Sequence, residues 1–252
     1  MAEIHVSISA QPIFHLGSVE FTNSMLTGVA VSVFLAGFAY WFSKNLDPKK
    51  PVKGIQNLVE MVIEGLYNLM VSIAGERKTR EFFPVIATLF LYILFSNWVT
   101  LLPGVGTIGI TSTREGKEVF SPLVRPPSAD LNATLGLALF SVIGAQVVGY
   151  KYMKLAYFKR FFNFSNPGRF ILGLLELTSE VSRIISFSFR LFGNIFAGEV
   201  LLVVSLALLP FLAPIPFLGL EVFIGVIQAL VFAVLTLVFW YMATIPHSGE
   251  HS

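Results

Sequence analysis

Arg190 stands in Ser186-Phe-Ser-Phe-Arg-Leu-Phe-Gly-Asn194, inside a stretch otherwise apolar enough to span a bilayer. A guanidinium at the centre of a membrane helix costs roughly 2.5–3.5 kcal/mol on insertion scales and keeps its proton at any accessible pH. A purely structural helix would not keep it; the plain alternatives are snorkelling to a headgroup or tying two helices together. Other polar groups share its neighbourhood. At 100° per residue, Arg183 and Ser179 fall about 20° from Arg190, and Asn194 and Glu176 about 40°, so they share its face, whereas Glu199 falls near 180°. Along the axis Glu199 lies about 13 Å to one side and Glu176 about 21 Å to the other, which gives the arginine an acid in each direction. Each acid also has a plainer reading. Glu180 and Arg183, spaced i,i+3, form an ion pair on one helix face. Glu176 suits headgroup depth, and Glu221 suits the positive N-terminus of the last helix. Asp130 and Asn132 follow Pro126-Pro127, where capping a span is favoured over proton transfer.

The elements that must position these groups belong to a membrane protein. Of the 252 residues, 55% are hydrophobic and only 13% charged, which indicates an integral membrane protein with room for one compact helical bundle. Most of the 17 basic residues fall in two blocks, Lys44 to Arg80 and Lys151 to Arg169. There is no cysteine, which excludes disulfides and thiolate metal sites. The N-terminal Met-Ala-Glu-Ile-His-Val lacks a basic region leading into an apolar core, so no cleaved signal peptide is expected. A first span is predicted over 21–43, leaving through the basic Lys44-Asn-Leu-Asp-Pro-Lys-Lys-Pro51 to the cytoplasm, so the N-terminus is expected outside and the C-terminus inside. Residues 54–75 keep polar side chains on one face and are predicted to form an interfacial amphipathic helix. A second span over 81–102, an outer loop over 103–129 and a third span over 130–153 follow.

The last third is unusual in length. From Gly168 to Leu209 no proline interrupts about 42 residues, roughly 60 Å of helix or twice the hydrocarbon thickness. Helices over 168–209 and 217–244, joined by the stiff Pro210-Phe-Leu-Ala-Pro-Ile-Pro216, are therefore expected to break or to tilt steeply. The expected fold is an all-α integral membrane protein with five membrane-embedded helices plus one interfacial helix, the last two long and strongly tilted.

Ser188-Phe-Arg-Leu-Phe-Gly-Asn-Ile-Phe-Ala-Gly-Glu199, with Gln228 in Ile-Gln-Ala-Leu-Val-Phe and Pro127-Ser-Ala-Asp-Leu-Asn-Ala-Thr134 upstream, resembles subunit a of the F-type ATP synthase membrane sector. The resemblance runs from the first span to the C-terminus. It implies a stator subunit that holds two proton half-channels against a rotating ring of c subunits. It also implies the b subunits of the peripheral stalk, the rest of the ATP synthase and the lipid bilayer as partners. No nucleic acid, cofactor or metal is expected, and the subunit is not expected to be an enzyme by itself.

On that resemblance Arg190 separates the half-channels and releases protons from the ring carboxylates. Glu199 serves the outer channel, and Glu176, Glu180 and Ser179 the inner one. Asn194 shares the arginine's face, and Asp130 and Asn132 stand at possible outer access. In the family the position of Gln228 faces the arginine, where an amide can hold the guanidinium by hydrogen bonding. An antiparallel hairpin in that register brings Glu221 within about 3 Å axially of Glu199. Two carboxyls that close do not readily both ionise, so the pair is expected to hold and pass one proton. Some bacterial members carry a histidine where this chain has Glu221. Here His5, His15, His247 and His251 all lie near the termini, so carboxyl groups must serve instead. Two rival classes are a secondary transporter or ion channel with an intramembrane Arg/Glu path and an intramembrane enzyme. The first expects related halves, of which no internal repeat is found; the second expects a nucleophile with a base or metal ligands, and the spans hold no His or Cys. A bacterial inner membrane is the expected location.

Overall fold

The structure, a computed structural model, describes residues 12–16, 19–45, 54–102, 104–105, 108–114, 117–154, 157, 167–208 and 214–245. Five helices dominate: α1 (Asn23–Asn45), α2 (Ile55–Trp98), α3 (Leu131–Met153), α4 (Pro167–Leu208) and α5 (Pro214–Met242). Each is long and apolar enough to cross a membrane, so the chain is an all-α, multi-pass membrane protein. The spans lie within a few residues of their expected positions. Residues 209–213 of the expected stiff turn, and Lys49, Lys50, Lys53, Lys159 and Arg160, lie outside the described residues. Pro214 and Pro216 stand in the first turn of α5, where a missing N–H is tolerated.

Two features differ from expectation. No gap separates the second and third predicted elements: α2 runs through both, with one non-helical residue, Gly75, at φ 74° and ψ 161°. That left-handed φ suits glycine, so the break falls at the only residue of the region that takes it without strain. Two short antiparallel hairpins also form, β1 (Pro12–Leu16) with β2 (Val19–Thr22) ahead of α1, and β3 (Gly109–Arg114) with β4 (Lys117–Pro122) between α2 and α3. β3 and β4 pair without a shift, from Gly109 with Pro122 to Arg114 with Lys117.

The chain divides into two compact units. The first comprises residues 1–52, 89–134 and 189–230. It holds both hairpins, α1, the end of α2, the later half of α4 and the earlier half of α5. The hydroxyl oxygen of Thr22 accepts the N–H of Met25, a capping bond at the start of α1. The Asn23 amide donates to the Pro122 carbonyl, tying α1 to the last residue of β4. Gly28 lets α1 approach closely, because a Cβ there would come 2.8 Å from the Tyr92 hydroxyl oxygen. The Trp98 indole donates to the Val222 carbonyl at 3.2 Å, joining α2 to α5.

The second unit comprises residues 53–88, 135–188 and 231–252. Its core is aromatic. Phe82 meets Trp240 edge-on, with centroids 5.6 Å apart, and Phe187 packs on Phe232 and Phe239. The Trp240 indole donates to the Ser141 carbonyl, while the Ser141 and Thr236 hydroxyls pair at 2.8 Å. In hydrocarbon such polar tips need partners, and here α3 and α5 satisfy each other.

Candidate functional site

In the first unit, Glu199 of α4 faces a partner from outside the helix. Arg125 brings Nη2 to 3.6 Å from Glu199 Oε2, with the arginine side chain 5% and the glutamate 31% exposed. Several local features hold the arginine there. Its backbone N–H donates to the Thr27 hydroxyl oxygen at 3.2 Å, and that hydroxyl in turn donates to the Asn23 carbonyl. Pro126 and Pro127 follow at once, and a 3₁₀ turn at Pro127–Ala129 leads into α3.

Glu221 of α5 joins this group. Its Oε1 lies 3.2 Å from where a Cβ at Gly198 would stand, so the carboxyl packs over the glycine beside Glu199, within electrostatic reach of it. Gly225, one turn beyond Glu221, leaves space that Asn97 and Trp98 of α2 line at 3.4 Å from its would-be Cβ. Both polar atoms of the Asn97 side chain, and Oε2 of Glu221, are buried without a hydrogen-bond partner among the described residues.

Arg190 lies exposed on α4 in the same unit. Asn194, one turn later and also exposed, donates from Nδ2 to Oε1 of the buried Gln228 at 2.8 Å. Gln228 thus meets Asn194, one turn from the arginine. Gln228 Nε2 has no hydrogen-bond partner among the described residues. Asp130 is buried and acts twice: Oδ1 accepts the N–H of Asn132, capping α3, and Oδ2 accepts the Ser24 hydroxyl of α1 at 2.6 Å. Asn132 itself is exposed in the first turn of α3.

In the second unit, Glu180 is buried and paired within its own helix. Arg183 Nη1 lies 2.7 Å from Glu180 Oε1, and the guanidinium stacks 4.6 Å above the Phe239 ring. Glu176 is half-buried and Ser179 exposed.

Two residues of these clusters were not anticipated. Arg125 carries a signal in the sequence, an isolated basic residue between the two basic blocks and immediately before a Pro-Pro pair, but nothing local names its partner. Asn97 is an ordinary amide near the end of an apolar run, and only folding shows it buried beside the first turns of α5.

A bundle of membrane-spanning helices with carboxyls, amides and a guanidinium inside its last two members defines an integral membrane protein built around polar groups at depth. The chain belongs to the ATP synthase A chain family, whose profile matches residues 24–241. It is similar to ATP synthase subunit a of Syntrophobacter fumaroxidans, 35% identical over 222 residues, which cover 86% of this chain and 82% of the relative. The subunit a of Gloeobacter violaceus is 32% identical over 233 residues, covering 91% and 86%. That of Trichlorobacter lovleyi is 34% identical over 237 residues, covering 93% and 92%.

Proposed function

We propose that this chain is the stator subunit of a proton-translocating F-type ATP synthase, with two proton half-channels facing a ring of c subunits and Arg190 between them. The observation that carries the proposal is an exposed guanidinium in the uninterrupted apolar helix α4, next to the Asn194–Gln228 hydrogen bond that links α4 to α5.

The chemistry follows from the solvent. A ring carboxyl must be neutral while it faces lipid, because an ionised carboxylate in hydrocarbon is too costly. Opposite Arg190 the carboxylate is stabilised, so its proton leaves towards one half-channel and a new one arrives from the other. The guanidinium does not relay protons itself, which closes the direct leak between the two channels. Gln228 and Asn194 position the helix face that carries it.

In the outer channel, Glu199 and Glu221 form one relay, with Arg125 holding Glu199 and Asn97 supplying a further polar group. Asp130 and Asn132 stand by the outer access, Asp130 chiefly as a structural tie. In the inner channel, Glu176 and Ser179 offer exchangeable or hydrogen-bonding groups, with Glu180 anchored to Arg183. The c ring, the peripheral-stalk b subunits and the remaining ATP synthase are the partners. The helices α4 and α5 tilt along the ring, residues 54–75 lie at the cytoplasmic interface, and the membrane is a bacterial inner membrane.

Arg190→Ala in the assembled enzyme is expected to abolish both proton-driven ATP synthesis and ATP-driven pumping; retained coupled pumping would refute the reading. The orientation is tested separately. A cysteine introduced at Ser7 is expected to react only with impermeant reagent from outside, and one at Ser252 only from the cytoplasmic side. Labelling of both from the same face would refute the topology.

A further inference from the structure

A groove of about 550 Å³ opens on the second unit, lined by none of the residues assigned to the proton path. Its walls are Phe140, Ile143, Gly144 and Val147 of α3 with Phe82 of α2, and Trp240 of α5 lies along its floor. Gly144 makes the floor possible, since any Cβ there would overlap the Trp240 ring. The indole N–H is already given to the Ser141 carbonyl, so the ring offers only its apolar surface. Phe140, Ile143 and Val147 are 51%, 55% and 62% exposed, and in a bilayer something apolar must cover them.

One end of the groove is charged. Glu81 and Lys151 line it there, paired at 2.7 Å. Tyr152 donates its hydroxyl to the other oxygen of Glu81, and Lys78 Nζ sits 3.3 Å from the centre of the Tyr152 ring. Arg77 and Lys151 both act electrostatically on Lys78. Three cations against one carboxylate leave this end positive after its internal pairing is complete.

We propose that the groove is a binding site for an anionic phospholipid, its phosphate on Arg77, Lys78 and Lys151 and one acyl chain along α3 over Trp240. The dimensions agree. From Lys151 back to Phe140 is eleven residues, about 16 Å of helix at 1.5 Å per residue. One leaflet of a ~30 Å hydrocarbon core is about 15 Å deep. A lipid whose headgroup meets the cations therefore lays its chain along the whole apolar wall. Charge selects the headgroup, because basic side chains at a membrane surface attract anionic lipids.

The test uses the protein purified with its accompanying subunits and reconstituted in phosphatidylcholine vesicles. These carry a small fraction of either phosphatidylglycerol or phosphatidylcholine with a diazirine in the acyl chain. After illumination, labelled peptides are mapped by mass spectrometry. The phosphatidylglycerol probe is expected to label residues 140–147 severalfold more than the phosphatidylcholine probe. Arg77→Gln with Lys78→Gln should erase that preference while leaving the Glu81–Lys151 pair in place. Glu81→Gln, which adds net positive charge, should increase it, and Val147→Trp should block labelling by both probes. Equal labelling by the two probes, or a preference indifferent to the charge variants, would show ordinary bilayer contact and overturn the proposal. Recovery of the 140–147 peptide unlabelled in the wild type would show the groove covered by another subunit and overturn it equally.

Discussion

Two glutamates of α4 meet their arginines in different ways. Glu180 finds Arg183 within its own helix, 2.7 Å away at i,i+3, and an aromatic ring shields the outer face of that cation. Glu199 reaches Arg125, on a segment far away in sequence, only at 3.6 Å, and has a second carboxyl, Glu221, for a neighbour. The first arrangement is a close pair within one helix. The second is loose and acid-rich, held in place by a threonine hydroxyl and a pair of prolines. A group that must exchange protons gains from such incomplete pairing, because a tight ion pair would lock its proton state. On the proposed function, the contrast separates an anchor from a relay.

The comparison is tested most severely at the two acids of the first unit. Glu199→Gln or Glu221→Gln is expected to slow proton flux about a hundredfold or more, the scale on which a positioned acid or base contributes to proton transfer. The double replacement should cost little more than either alone, since a relay is already broken by one loss. Additive losses would show two independent groups and would dissolve the pair. Glu221→His should keep substantial flux, with its dependence on pH displaced, because an imidazole also exchanges protons near neutrality.

A second, smaller effect is expected at Arg125. Arg125→Gln removes the cation beside a partly exposed carboxyl, which costs about 1–2 kcal/mol, less than the ~3 kcal/mol of a fully buried pair broken from one side. The loss should appear as lower thermal stability of the assembled complex. Adding Glu199→Gln should restore part of that stability, as no charge is then left without its counterion. If the double variant is as unstable as Arg125→Gln, the arginine acts through packing alone.

Much of this contrast was open to a reader of the sequence on one side and closed on the other. Glu180 and Arg183 are i,i+3 on a helix whose length hydropathy already dictates, so their pairing follows from helical periodicity. Asp130 as the cap of α3 follows similarly, from its place after two prolines and at the head of an apolar run. The closeness of Glu199 and Glu221 depended on the register of a hairpin, which the family resemblance supplied through Gln228. Arg125 depended on the path of a long connection, for which no periodicity exists. The β3–β4 hairpin lies in that same connection, where strands of mixed polar residues carry no hydrophobic alternation strong enough to reveal them. The break at Gly75 stands at the end of the expected 54–75 element, but the gap expected before the next span is absent because the helix resumes at once. The amphipathic and apolar stretches on its two sides are both helical, so composition marks a change of surroundings there without marking where the helix stops.

The smallest effect belongs to Glu180, and it is the one that decides whether the contrast is real. Its buried carboxylate is matched by Arg183, and Gln at this position keeps an oxygen for the guanidinium to donate to. The ring of Phe239 continues to cover the cation. Glu180→Gln should therefore lower stability by only about 1 kcal/mol, the difference between a charge-assisted and a neutral hydrogen bond. Proton flux and its pH profile should stay close to wild type, measured in the same vesicles used for Glu199→Gln. A loss comparable to that of Glu199→Gln would mean that tight pairing does not keep an acid out of the proton path, and that Glu180 belongs to the inner channel as an exchanging group. Flux preserved alongside a modest stability loss would leave Glu176 and Ser179, half-buried and exposed on the same helix, to carry the inner exchange.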